Sequence, residues 1–90
     1  MMVRAEVLYS GDVQGVGFRY TARSIAGRHA VAGFVRNLSS GKVEIVVEGN
    51  HNEVEAFLSD LASVMEGHID DTQTNWLQPA GEFKGFGIRF

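Results

Sequence analysis

Hydrophobic and polar residues alternate along several parts of the chain, and this period of two predicts β-strands. In the first part, every second residue from Val3 to Tyr9 is hydrophobic. Two further predicted strands, of which the second alternates from Val43 to Glu48, flank the turn-forming residues 38–41, so we expect them to pair as an antiparallel hairpin. The part around Trp76 has a weaker pattern. The predicted strands cover residues 3–10, 31–37, 42–48, 70–78 and 86–90.

Two other parts of the chain follow the period of an α-helix. Residues 18–28 form the first predicted helix, and Gly27 lies near its end. The second is predicted to begin with Asn52 as its N-cap and Glu55 three residues later, and to end at Gly67. Both helices have one apolar face. These faces consist of Ala22, Ile25 and Ala26 in the first helix and of Val54, Phe57, Leu58, Leu61 and Met65 in the second.

The predicted order of elements is β-α-β-β-α-β, followed by a short extra strand at the C-terminus. Two βαβ units joined by a hairpin form an antiparallel sheet with two helices on one face, so we predict an α+β fold, a ferredoxin-like sandwich. A chain of 90 residues builds only one core, and we expect a single domain over residues 1–90. Because this fold serves enzymes, RNA-binding modules and regulatory domains alike, the function has to be inferred from a site.

Composition and charge narrow the possible functions. Hydrophobic residues make up 44% of the chain and charged residues 21%, which suits a folded domain. The absence of cysteine excludes disulfides, thiolate zinc sites and a cysteine nucleophile. A net charge of −3 argues against broad nucleic-acid binding. Since no signal pattern or apolar run of about 20 residues is present, we expect a cytoplasmic protein without membrane contact.

Two other features of the sequence are weak indications of chemistry. His29, His51 and His68 are separated by 22 and 17 residues, which matches no metal-ligand spacing, so we expect no metal site. Residues 84–90 are similar to the RNP1 segment of RNA-recognition motifs, with one aromatic residue missing. That segment belongs on the third strand of such motifs, whereas here it forms the last strand. We therefore interpret it as a packing strand and expect no nucleic-acid partner.

The loop between the first strand and the first helix has the strongest chemical pattern. Residues 11–19 read Gly-Asp-Val-Gln-Gly-Val-Gly-Phe-Arg. Gly15 and Gly17 adopt a positive φ at little cost, which lets successive backbone N–H groups point at one anion. The N-terminus of the following helix adds free N–H groups and a partial positive charge. A cation is unfavourable in a first helical turn, so Arg19 is best explained by an anion in front of it, held by the planar guanidinium.

The same loop is too small for a nucleotide site. It lacks the Lys-Ser/Thr pair that follows the glycines of a Walker A motif, and Tyr20 stands where a dinucleotide fingerprint has its third glycine. We therefore predict a site for one phosphate. The predicted phosphate-binding residues are Gln14, Gly15, Val16, Gly17, Phe18 and Arg19.

This loop resembles the first signature of the acylphosphatase family, and residues 33–37, Gly-Phe-Val-Arg-Asn, continuing to Gly41, Val43 and Gly49, resemble the second. The resemblance covers essentially the whole chain. It implies hydrolysis of acyl phosphates, which are carboxyl–phosphate anhydrides, to a carboxylate and inorganic phosphate, without a metal or any other cofactor. It also implies that Arg19 binds the phosphoryl group and that Asn37 positions the attacking water. The family suggests a phosphate oxygen of the substrate as the base, while the residues of this sequence leave the base open.

These residue types suit that reaction, although a second interpretation stays open. A carboxylate is a good leaving group and needs no general acid, and a neutral asparagine can hold water beside a phosphate without repelling it. The alternative is a non-catalytic module of the same fold that binds a phosphorylated ligand. Asn37 favours the enzyme, because a binding module has no need of a water-holding residue. We expect a monomer whose partner is a small acyl phosphate, and we hypothesise that the last strand brings the terminal carboxylate of Phe90 near Arg19.

Overall fold

The computed structural model describes residues 1–90 and confirms the predicted order of elements. Two helices and the strands of one five-stranded sheet account for most of the chain. No helix combines the length and hydrophobicity that crossing a membrane requires. The elements are β1 (Met2–Gly11), α1 (Phe18–Ala26), β2 (Val31–Asn37), β3 (Val43–Asn50), α2 (His51–Val64), β4 (Ile69–Leu77) and β5 (Phe86–Arg89).

The sheet has the strand order β4-β1-β3-β2-β5. The pairs β1–β3, β1–β4 and β2–β3 are antiparallel, as predicted, and Ala5 lies opposite Val47 while Val35 lies opposite Ile45. The extra strand β5 is parallel to β2 at the far edge, so the complete sheet is mixed. The alternation of Phe86 and Ile88 predicted a strand but does not specify its direction, because a period of two is the same in both orientations.

The core lies between one face of the sheet and the two helices. The alternating residues of β1 and β3 point into it, and the predicted apolar faces of both helices cover them. Leu58 is only partly buried, at the margin of this core. The fully buried members include Val7, Tyr9, Ile45, Val47, Val54, Phe57 and Leu61.

The predicted start of the second helix is wrong by two positions. The helix begins at His51, its N-cap is Asn50, and the Asn50 side chain donates or accepts no capping hydrogen bond with the helix. Asn52 therefore lies inside the first turn and is not the cap. The pairing of β1 with β3 extends to Asn50, and the His51 N–H donates to the Met1 carbonyl at 2.9 Å, so the strand passes into the helix without a linker.

The connection between β4 and β5 crosses the face of the sheet that the helices leave open. It has to cross the sheet because these strands occupy opposite edges. Phe83 in this connection packs edge-on against Phe34, with 5.9 Å between ring centroids. The backbone N–H groups of Ala80 and Gly81 donate to the Glu48 carboxylate at 2.8 and 3.0 Å. The buried Glu48 thus fixes the path by which β5 reaches the edge beside β2.

Glu48 is ionised in the fold despite its burial. Burial by itself would raise the pKa of Glu48, but the N–H groups of Ala80 and Gly81 and the guanidinium of Arg4 outweigh it and hold the pKa below its ordinary value. The Arg4 Nη1 lies 3.1 Å from the carboxylate, and both side chains are largely shielded from solvent. A carboxylate that accepts several hydrogen bonds in the folded state stabilises that state only while it is deprotonated.

Acidification is therefore expected to weaken the fold through Glu48. Since its pKa is lowered by folding, its contribution is complete above the ordinary pKa of 4.5 and disappears as the pH falls through the folded-state value. Glu48→Gln should lower the free energy of unfolding at neutral pH by about 2 kcal/mol, measured by urea unfolding. The difference from wild type should shrink below about pH 4. Exposed Glu66 provides the control variant Glu66→Gln, and a pH-independent difference for Glu48→Gln would contradict this account.

Candidate active site

The loop from residue 12 to residue 17 connects β1 to α1 and is fixed at both ends. Val13 is fully buried and Phe18 is 2% exposed. The Phe18 ring packs against Tyr9 with 5.0 Å between centroids. Gly15 and Gly17 have φ angles of +78° and +77°, in the left-handed region where a side chain would be strained. The two glycines therefore give the loop a curvature that other residues would not maintain.

The loop and the first helical turn present a set of free backbone donors. The N–H groups of residues 14–20 donate no hydrogen bond to a protein acceptor, and the first helical bond runs from the Thr21 N–H to the Gly17 carbonyl at 3.0 Å. No side chain caps α1, and its first turn contains no acidic residue. Free N–H groups and the positive end of the helix dipole together favour an anion at this position.

Gln14 connects this loop to the hairpin. Its Nε2 donates to the carbonyls of Leu38 and Lys42, at 2.8 and 2.9 Å. Both amide hydrogens are used in these bonds, so the Gln14 side chain has no donor left for a phosphate. The side chain instead holds the loop against the turn that follows Asn37.

Arg19 lies in the first turn of α1 and is partly buried. It forms no ion pair with any carboxylate of the protein. Its guanidinium carbon lies 4.8 Å from the centroid of the Phe90 ring, within the range of a cation–π contact. The last strand thus brings Phe90 to Arg19, as hypothesised, but the contact is made by the ring, and no ion pair joins the terminal carboxylate to Arg19.

Asn37 ends β2 opposite Val43, at the edge of the same loop. Its side chain is partly buried and forms no hydrogen bond within the protein. Together with Arg19 it lines a pocket of about 200 Å³. The pocket is lined by Val13, Gly15, Gly17, Phe18, Arg19, Tyr20 and Asn37.

The structure thus brings most of the predicted site residues together. Gly15, Gly17, Phe18, Arg19 and Asn37 line one pocket, whereas Val16 packs against the core and Gln14 faces the hairpin.

Sequence reasoning missed two residues of the pocket wall, Val13 and Tyr20. Tyr20 could have been predicted to line the pocket, because it directly follows Arg19 at the start of the helix. Burial of Val13 had no signal in the local pattern, because an isolated hydrophobic residue in a loop has no period to follow.

The pocket contains one cation, one neutral amide and no acid or histidine. Nowhere in the structure do three or more His, Asp or Glu side chains lie close enough together to hold a metal ion. The arrangement can hold a tetrahedral anion between the backbone donors and Arg19, with the amide of Asn37 beside it.

Comparison with known proteins agrees with this geometry. The family model described as Acylphosphatase matches residues 5–88. An acylphosphatase of Roseiflexus sp. (strain RS-1) is 42% identical over 88 residues, which cover 97% of this chain and 95% of the relative.

Two solved structures extend the comparison to three dimensions. The acylphosphatase from Bacillus subtilis superimposes with a TM-score of 0.87 at 27% identity, covering 98% of this chain and 99% of that one. Full-length HypF in its phosphate- and nucleotide-bound form matches with a TM-score of 0.85 at 31% identity, covering all of this chain and 12% of that protein.

Proposed function

The chain belongs to the acylphosphatase family, and we propose that its loop and Arg19 hold the phosphoryl group of an acyl phosphate while Asn37 holds the attacking water, without a metal. The protein is an enzyme that hydrolyses carboxyl–phosphate anhydrides. One observation supports these roles of Arg19 and Asn37. An arginine without an ion pair and an asparagine amide without a hydrogen bond line the same pocket, beside backbone N–H groups that have no acceptor in the protein.

The phosphoryl group would be bound by donors that are already in place. The N–H groups of Gly15, Gly17, Phe18 and Arg19 have no acceptor in the protein, these residues line the pocket, and the guanidinium of Arg19 can contact two phosphoryl oxygens at once. Phosphoryl transfer depends mainly on positioning and on stabilising the charge that builds on these oxygens. Donors fixed by a buried Phe18 and two left-handed glycines need little reorganisation as that charge develops.

Asn37 would place the water. Its carbonyl oxygen accepts a hydrogen bond from the water, and its NH₂ group donates to the water or to a phosphoryl oxygen. The water oxygen attacks phosphorus, the bond from phosphorus to the acyl oxygen breaks, and the carboxylate leaves with the electron pair. Since no side chain of the pocket is a base, the proton of the water passes to a phosphoryl oxygen.

A direct assay tests the proposal with benzoyl phosphate in the presence of a chelator. We expect the protein to release benzoate and inorganic phosphate at the same rate with and without the chelator. A folded protein without turnover would refute catalysis. Turnover that a chelator removes and Mg²⁺ restores would refute the metal-independent assignment.

Phe90→Leu tests whether the aromatic ring positions Arg19. The Phe90 side chain is 92% exposed, so the variant should keep its melting temperature. We expect kcat/KM for benzoyl phosphate to fall about threefold, because an exposed cation–π contact contributes about 0.5–1 kcal/mol. Phe90→Tyr, which keeps the ring, should retain the wild-type value. Equal values for Leu and Tyr would show that the ring has no positioning role.

A further inference from the structure

The charges of this protein are divided unevenly along the chain. Residues 13–43 contain five of the eight Lys and Arg residues and no Asp or Glu, so this segment carries +5 in a protein whose net charge is −3. The rest of the chain has all 11 acidic residues, of which α2 and β4 hold several. The positive segment includes the whole of α1 and β2, which contribute Phe18, Arg19, Tyr20 and Asn37 to the active-site pocket, whereas β3 carries Glu44 and Glu48.

Helix α1 concentrates this charge. Arg19, Arg23 and Arg28 lie along the helix and its C-terminal turn, and none of them forms an ion pair. By contrast, Arg36 and Arg4 contact carboxylates at 2.7 and 3.0 Å. A favourable interaction with the helix dipole accounts for a cation near the C-terminus of α1, but does not explain why no acid accompanies any of the three.

A groove runs along this helix beside the active-site pocket. Its volume is about 310 Å³, it lies between α1 and the end of α2 at Val64, and it shares Tyr20 with the active-site pocket. Tyr20, Ser24 and Arg28 recur at four-residue intervals and so lie on one side of the helix. Arg23 lines neither space, but its guanidinium carbon lies 5.3 Å from the centroid of the Tyr20 ring, which lines both.

We propose that this groove receives the acyl part of the substrate and that Arg23 and Arg28 select acyl groups carrying a second negative charge, such as a carboxylate. This inference rests on the proposed function, because it needs the phosphoryl group bound at residues 14–19. The acyl group then extends past Tyr20, over the hydroxyl groups of Thr21 and Ser24, towards Arg28. No acidic side chain lines either the pocket or the groove, so a second anion meets only favourable charge there.

The test compares two substrates that differ by one charge, benzoyl phosphate and 4-carboxybenzoyl phosphate. We expect kcat/KM to be about fivefold higher for the carboxylated substrate in about 10 mM salt, and the ratio to approach one in about 1 M salt, because exposed charges are screened. In Arg23→Gln/Arg28→Gln the low-salt ratio should fall about fivefold. Comparing these ratios between variants cancels the difference in intrinsic reactivity between the substrates, because that difference enters every ratio as the same factor.

Lys84→Gln is the matched control, because Lys84 is an exposed cation in the connection on the opposite side of the sheet. It should keep the wild-type ratio, whereas Arg23→Gln and Arg28→Gln, each also losing one charge, should lower it about twofold. An unchanged ratio in the double variant, or a ratio that falls equally in Lys84→Gln, would overturn the acyl-group assignment. In that outcome benzoyl phosphate is still hydrolysed. Failure to hydrolyse either substrate would instead overturn the proposed function and this inference with it.

Discussion

Arg19→Ala is expected to lower kcat/KM for benzoyl phosphate by about a thousandfold or more and to abolish competitive inhibition by inorganic phosphate. Arg19 supplies the only cation in the pocket, and the backbone donors around it carry partial charges only. Because the guanidinium binds phosphate both in the substrate and in the product, its loss should raise KM and the phosphate inhibition constant as well as lower kcat. Steady-state kinetics with phosphate as inhibitor measures all three.

Two control variants distinguish the effect of losing the planar guanidinium from the effect of losing a positive charge. Arg19→Lys keeps the cation but loses the planar pair of donors, so we expect partial phosphate inhibition with turnover still reduced by at least about tenfold. Lys84→Ala removes a cation far from the pocket and should behave as wild type. If Arg19→Ala retained turnover within tenfold of wild type while folded, the assignment of Arg19 to the phosphoryl group would be wrong.

Asn37→Ala is expected to lower kcat by about 100- to 1000-fold while leaving the phosphate inhibition constant within about twofold of wild type. The Asn37 side chain forms no hydrogen bond within the protein, so its removal costs the fold little. If its partner is the attacking water, phosphate binding should not depend on it. This separation of turnover from phosphate binding distinguishes a water-holding residue from a phosphate ligand.

Asn37→Asp provides the sharper comparison. It has the same shape as asparagine, but its negative charge would face the phosphoryl oxygens, so both turnover and phosphate inhibition should weaken. Asn75→Ala, on the exposed edge strand β4, is the control for replacing an asparagine elsewhere and should be neutral. An active Asn37→Ala enzyme, or one that loses phosphate inhibition together with turnover, would show that Asn37 does not act through water.

The same experiments address the alternative of a phosphate-binding module without catalysis. The match to HypF shows that this fold also occurs as about one-eighth of a much larger protein, one whose structure was solved with phosphate and nucleotide. If the protein were only a binding module, inorganic phosphate would still compete with a phosphorylated ligand for binding, but the wild-type protein would show no turnover. The full-length acylphosphatase relatives, by contrast, match this chain over nearly their whole length.

Local patterns were sufficient for most of the fold. The two periods, two and 3.6, follow from which side of a strand or helix meets the core, so β1, β3 and both apolar helix faces could be predicted from sequence. The start of α2 could not, because the capping pattern at Asn52 competes with an extension of β1–β3 pairing to Asn50 that depends on a distant strand. The parallel direction of β5 was also undetermined, since it depends on the buried contacts of Glu48 with the β4–β5 connection.

For the site, the sequence by itself determined the ingredients: a glycine loop before a helix, Arg19 in its first turn, and Asn37 in a second motif 18 residues later. Only the tertiary structure decided their arrangement. The β2–β3 hairpin brings Asn37 beside the loop, Gln14 holds the two together through the carbonyls of Leu38 and Lys42, and β5 carries the Phe90 ring to Arg19. The physical reason is that these contacts join residues from 18 to 71 positions apart, and packing of the whole core, rather than any local periodicity, fixes such distances.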